Sequence, residues 1–121
     1  MKLKTDPRHL KRKKLMQILF SWNFQTSKKP PKAIAEIVKN LKSIDNIISE
    51  SAKDRPIEQI NKIDLAILRL AVFELLLNIG TPPKVVVDEA VELGKEFGSD
   101  SSGAFINGAL GQVIKLRKIQ V

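Results

Sequence analysis

Between residues 63 and 77 the chain reads IDLAILRLAVFELLL, and its three polar positions, Asp64, Arg69 and Glu74, recur every five residues. On a 3.6-residue helix they point about 140° apart, which leaves no solvated stripe, so the pattern predicts a central helix wrapped by others. Asn61 is placed to cap it, Pro56 suits a preceding helical turn, and Gly80 followed by Pro82 and Pro83 stops it. A membrane span is the competing explanation. Fifteen residues, however, rise only about 22 Å against a hydrocarbon core of about 30 Å, and three charges interrupt them.

The rest of the chain also alternates at helical spacing. Leu10, Leu15, Met16, Ile18, Leu19, Phe20, Trp22 and Phe24 predict a first helix over 7–24. Pro30 and Pro31 open a second, in which Ile34, Ile37, Val38, Leu41, Ile44 and Ile48 make one amphipathic stripe. Thr81 is placed to cap the next helix. Its Val85-Val86-Val87 run suits a strand, but Val86, Ala90, Leu93 and Phe97 continue at helical spacing, and helix is the better reading. Gly98 ends that helix, and Ser99 or Asp100 caps a last one over 101–118. There Ala104, Gly108 and Gly111 form a narrow strip. Two mid-helix glycines cost about 1 kcal/mol each relative to alanine, so something is expected to approach that face closely, either the core or a second copy of the chain. The pattern is all-α, with no repeat.

Composition narrows the function. A hydrophobic content of 43% over 121 residues suffices for one real core, and the absence of cysteine excludes disulfides and thiolate chemistry and fits a reducing compartment. Within residues 1–14, seven basic side chains (Lys2, Lys4, Arg8, Lys11, Arg12, Lys13 and Lys14) oppose the single carboxylate of Asp6, and they supply six of the eight net positive charges. They enter the first turns of an apolar helix, where cations oppose the helix dipole, so a polyanion is the partner this end predicts. No apolar signal-peptide core follows, because Gln17, Ser21 and Asn23 break it; the expectation is a cytoplasmic protein that neither spans nor anchors to a membrane.

Catalytic readings fail one by one. The only histidine, His9, lies among lysines and is expected to be solvated. Asp88, Glu89, Glu92 and Glu96 read as a solvated helix face beside Lys95 rather than as paired acid–base carboxylates. GAFINGALG lacks the spacing and the lysine of a phosphate-binding loop. No enzyme, cofactor or metal is expected. Phe20 and Phe24, at i and i+4, are expected in the core, whereas Trp22 points elsewhere and stays open between core and stacking platform.

Three segments, DLAILRLAVFELL, TPPKVVVDEAVELGKEFGSDSS and FINGALGQV, resemble in order and spacing the C-terminal half of the transcription antitermination protein NusB family. RHLKRKKLMQILFSW resembles that family's basic opening helix. The resemblance implies one NusB-like domain over 1–121, with two small packed helical subdomains, 1–60 and 61–121, around the central helix. It implies binding to the single-stranded boxA element of ribosomal RNA leaders together with NusE, a small-subunit ribosomal protein, within the RNA polymerase antitermination complex. By position, the RNA side would include Lys2, Lys4, Arg8, Lys11, Arg12, Phe97, Ser101, Phe105 and Asn107, and the NusE side Phe20 and Asp64. The middle, over 25–60, is short for the family, and Phe20 stands where a tyrosine is common. Two alternatives remain: a recruitment module like the domain that precedes some ribosomal RNA cytosine methyltransferases, and a protein-interaction scaffold whose basic end meets an acidic protein.

Overall fold

Asp6 accepts a hydrogen bond from the Arg8 backbone N–H at 2.8 Å, and Pro7 takes the first helical position, where no backbone donor is missed. Helix α1 starts there and runs over Pro7–Trp22 in the computed structural model, which describes residues 6–121. The inward face of α1 carries His9, Met16 and Leu19, one or two turns apart. The chain then turns at 23–25, two residues before the expected end, and Phe24 is left 62% exposed, touching Phe20 edge-to-face at 5.1 Å. The expectation that Phe24 is core is therefore corrected; Phe20 is half-buried against the core.

The single amphipathic helix expected after Pro31 is divided. A 3₁₀ turn over Lys32–Ile34 leads into α2 (Ala35–Lys39), and α3 (Leu41–Ser51) begins after a break at Asn40. The Asn40 side-chain amide donates to the Glu36 carbonyl at 2.8 Å and its backbone N–H reaches only to Ile37, so the side chain replaces the helical bond. The stripe survives the break, with Ile34, Ile37, Ile44, Ile47 and Ile48 all buried.

A second 3₁₀ turn, Ile57–Gln59, precedes α4 (Lys62–Leu76), which Asn61 caps by accepting from the Ile63 N–H at 2.8 Å. As expected, α4 is enclosed: α1, α3, α5 and α6 all pack on it, and every residue from Asp64 to Val72 is buried. Helix α5 (Pro83–Phe97) follows, the Val85–Val87 run is helical, and Gly98 ends it. Thr81 does not cap α5; its hydroxyl accepts from Arg12 at 3.3 Å instead. Helix α6 (Ser102–Leu116) is not capped by Ser99 or Asp100 as expected: Ser101 stands at the N-cap position without a side-chain bond, and the Ser102 hydroxyl accepts from the Ser99 N–H at 2.9 Å.

Close approach occurs at other glycines than the expected strip. A Cβ on Gly94 would lie 2.7 Å from Ile106 Cδ1, and one on Gly98 would overlap the Ser102 side chain, so α5 and α6 meet there. Nothing lies within 4 Å of a Cβ on Gly108 or Gly111, and with Ala104 they face outward.

The charges of α4 are answered by its neighbours. Arg69 donates to both carboxylate oxygens of Asp45 at 2.9 and 2.8 Å and to Asn23 at 3.0 Å. Glu74 accepts from Arg12 Nε at 3.0 and 3.1 Å and from Nη2 at 2.8 Å, and these bonds hold the guanidinium pKa above its usual value. His9 is 6% exposed rather than solvated, between Glu89 at 3.4 Å and Glu96 at 3.6 Å, and Glu89 is itself 2% exposed and 3.7 Å from Arg12. Of the expected solvated face, Asp88, Glu92 and Glu96 are exposed, Glu96 while also meeting His9 and Lys13, and Glu89 alone is buried. His9, Arg12 and Lys13 lie within little more than one turn of α1 and fasten it to α4 and α5.

Two stability tests follow from this arrangement. Leu68, 1% exposed at the middle of α4, should cost about 2–5 kcal/mol when truncated to alanine, read as a shift of the urea midpoint at constant slope. Arg12→Ala should cost about 3 kcal/mol, because it strands Glu74, whose side chain is only 12% exposed, while an Arg12→Met/Glu74→Leu pair should recover more than half of that loss. If the pair is no better than the single variant, the stranded charge is not the cause.

Candidate nucleic-acid interface

Because Arg12 and His9 face inward, the remaining cations of α1 divide by helical geometry. Arg8 and Lys11 are exposed, the Arg8 side chain at 84%, although Arg8 also reaches Asp6 at 3.2 Å. That bond raises the Arg8 pKa and, from the other side, holds the Asp6 carboxyl below its usual value. Lys13 leans the other way: its ammonium is 3.4 Å from Glu96 and 5.2 Å from the centre of the Phe97 ring. The basic helix is thereby joined to the end of α5.

A second cation–aromatic pair stands nearby in sequence on α6. The Arg55 guanidinium, from the segment between α3 and α4, lies 4.0 Å over the centre of the Phe105 ring. Both rings are half-buried, so each is supported by the core and also borders solvent. Between them the α5–α6 turn presents Ser99 and Ser101, whose hydroxyls are 3.3 Å apart. Asn107 is exposed one half-turn beyond Phe105, and three of its i±3 and i±4 neighbours are Gly103, Ala104 and Gly111. Its amide has little on its own helix to shield it.

Cations beside π faces, hydroxyls and an exposed amide can bind phosphate, stack a base and hydrogen-bond a base edge. Among the described residues there is no group of three or more His, Cys, Asp or Glu side chains that could hold a metal ion, and no helix long and apolar enough to cross a membrane.

The expected RNA residues are only partly assembled. Arg8, Lys11, Phe97, Ser101, Phe105 and Asn107 are exposed or half-buried, whereas Arg12 spends its donors on Glu74 and Thr81 and is not available at the surface. Lys2 and Lys4 lie outside the described residues. Sequence reasoning missed the two cations that lie over the Phe97 and Phe105 rings. Lys13 was signalled only as part of a charge run, and Arg55 had no local signal, since its ring partner is 50 positions away.

The two residues expected at a protein partner fare differently. Phe20 is half-buried at the end of α1. Asp64 is 2% exposed in the first turn of α4, and its Oδ1 has no hydrogen-bond partner; the expectation that it lies at the surface is corrected. Asn23 bonded to Arg69 sets the end of α1 about one and a half turns of α4 from Asp64.

Comparison with known proteins follows the same lines. Residues 31–115 match the model of the NusB family. The transcription antitermination protein NusB of Chloroflexus aggregans is 52% identical over 73 residues, which is 59% of this chain and 49% of that protein. The chain spans about half the length of the first curated relatives it matches. Structural likeness extends further: NusB of T. maritima superposes with a TM-score of 0.80 at 30% identity, over 95% of this chain and 93% of that one. A chain in a crystal structure of antitermination factors NusB and NusE in complex with dsRNA shares the fold, with a TM-score of 0.74 at 22% identity over 91% of this chain and 98% of that one. With the family's model spanning α2 to α6 and its fold reproduced through α1 as well, the chain belongs to the NusB family.

Proposed function

We propose that this chain is an RNA-binding transcription antitermination factor that takes boxA-type single-stranded RNA together with NusE, in the cytoplasm and without catalysing a reaction. It acts as a single domain whose 1–60 half supplies the basic helix and whose 61–121 half supplies the aromatic residues. The observation that carries this reading is the meeting of cation and ring at Lys13 and Phe97, which joins those two halves into one surface. The relatives named transcription antitermination protein NusB, and the shared fold with a chain solved beside NusE and double-stranded RNA, support it.

NusE binding is assigned to Phe20 and Asp64. The Asp64 carboxylate is buried with one oxygen unbonded, a costly state that a partner's donor would relieve once docking shifts the first turn of α4 enough to admit it. Residues 1–5 add Lys2 and Lys4 to the RNA side.

Labelled boxA RNA, titrated with the protein alone and with NusE present, tests the assignment. Affinity should rise when NusE is added. If about four phosphates are neutralised, log K against log salt should slope near −3, at about −0.7 per contact. Lys11→Ala should flatten the slope by about 0.7 with an unchanged melting temperature. Failure to bind single-stranded RNA with or without NusE overturns the reading. For the partner side, Asp64→Asn keeps the shape of the buried group, and NusE affinity should fall about tenfold, as for a lost charge-assisted hydrogen bond, with RNA affinity of the protein alone unchanged. Unaltered NusE binding by a folded Asp64→Asn protein removes Asp64 from that surface.

A further inference from the structure

The face of α1 turned away from α4 ends in a groove that the function above does not use. Lys14, Gln17 and Ser21 follow one another at helical spacing along one side of it, Ile18 and Trp22 form its apolar wall, and Lys28 and Lys29 close it from the loop that returns after α1. Its volume is about 480 Å³, the size of a small-ligand pocket. The loop is fixed in place because the Trp22 indole N–H donates to the Lys28 carbonyl at 3.2 Å.

Its charge is unbalanced. Arg8, Arg12 and Lys13 each have a carboxylate within ion-pair distance, whereas among the described residues Lys14, Lys28 and Lys29 have none. Three exposed ammonium groups around one concavity call for an anion. An indole with amide and hydroxyl groups beside it calls for an anion that also carries a flat ring. Lys11 lies one turn before Lys14 on the same exposed side, so cations run unbroken from the start of α1, where RNA is placed above, to this groove.

We propose that the groove between α1 and the 25–31 loop is a second RNA site, taking a nucleotide of the single strand with its base against Trp22 and its phosphates among Lys14, Lys28 and Lys29. The inference rests on the RNA-binding reading and extends the bound strand along α1. Lysine supplies point charges rather than a planar fork, and an indole stacks on any base, so the site contributes affinity and length of contact but little sequence preference.

Trp22 is the only tryptophan, so its emission reports on this groove alone. Binding of boxA RNA extended at both ends by uridines is followed by two signals, the anisotropy of a label on the RNA and the fluorescence of Trp22. Quenching of Trp22 in step with anisotropy is expected. Lys28→Ala/Lys29→Ala, which keeps the carbonyl that Trp22 bonds, should lose most of the quenching and flatten the salt slope by about 1.4 with the melting temperature unchanged. RNA that binds by anisotropy while Trp22 emission and the variant's slope stay as before overturns the groove site and leaves the RNA function standing. No anisotropy change at all overturns both. Polyglutamate of matched charge that quenches Trp22 as strongly as the RNA overturns the proposal in favour of an acidic protein segment.

Discussion

Charges on a helix buried on every side have to be answered by its neighbours or left at a cost, and α4 carries two that recruit the elements around it. Arg69 draws in Asp45 of α3 and Asn23 at the end of α1; Glu74 draws in Arg12 from the first half of α1. The enclosing apolar contacts supply most of the stabilisation, since ion pairs withdrawn from water gain little net energy. What the pairs add is position. A bidentate guanidinium–carboxylate bond tolerates little sliding, so the two pairs fix where α1 and α3 sit along α4. Asp64 is the exception, buried at the end of the same helix with an oxygen unbonded.

The same constraint decides which cations remain for binding. Arg12 and His9 are committed inward, Lys13 is divided between Glu96 and the Phe97 ring, and Lys11 and Lys14 remain outward. A polyanion therefore meets fewer of the seven N-terminal charges than the sequence displays. The α5–α6 end contributes differently: close contact at Gly94 and Gly98 brings the two helices together, and Phe97, Ser101 and Phe105 border solvent near their junction.

Local features were legible in the sequence and distant pairings were not. The bounds of α4, its Asn61 cap and the helical state of the Val85–Val87 run followed from spacing and cap chemistry, which act within a turn or two. The break at Asn40 was missed because the hydrophobic stripe continues through it, and periodicity cannot see a side chain that substitutes for a backbone bond. His9 was misplaced because its neighbours in sequence are lysines, while its partners are 80 and 87 residues on. Glycine spacing picked out Gly108 and Gly111, yet the close helix contact uses Gly94 and Gly98, where facing side chains on α6 set the requirement. At the candidate site, residue types and exposed positions were readable, whereas the loss of Arg12 and the gain of Arg55 depend on contacts 62 and 50 positions apart.

Fastening α1 by Arg12 and His9 has a thermodynamic consequence for whatever α1 binds. From Pro7 onward its backbone is ordered in the free protein, so the entropy of fixing a helix is lost during folding and not again on encounter. A disordered basic arm with the same charges would have to fold against its ligand and would return part of its affinity as ordering cost. Here the cations along α1 are preorganised at fixed spacing, and recognition becomes a matter of whether the ligand's phosphates can match that spacing.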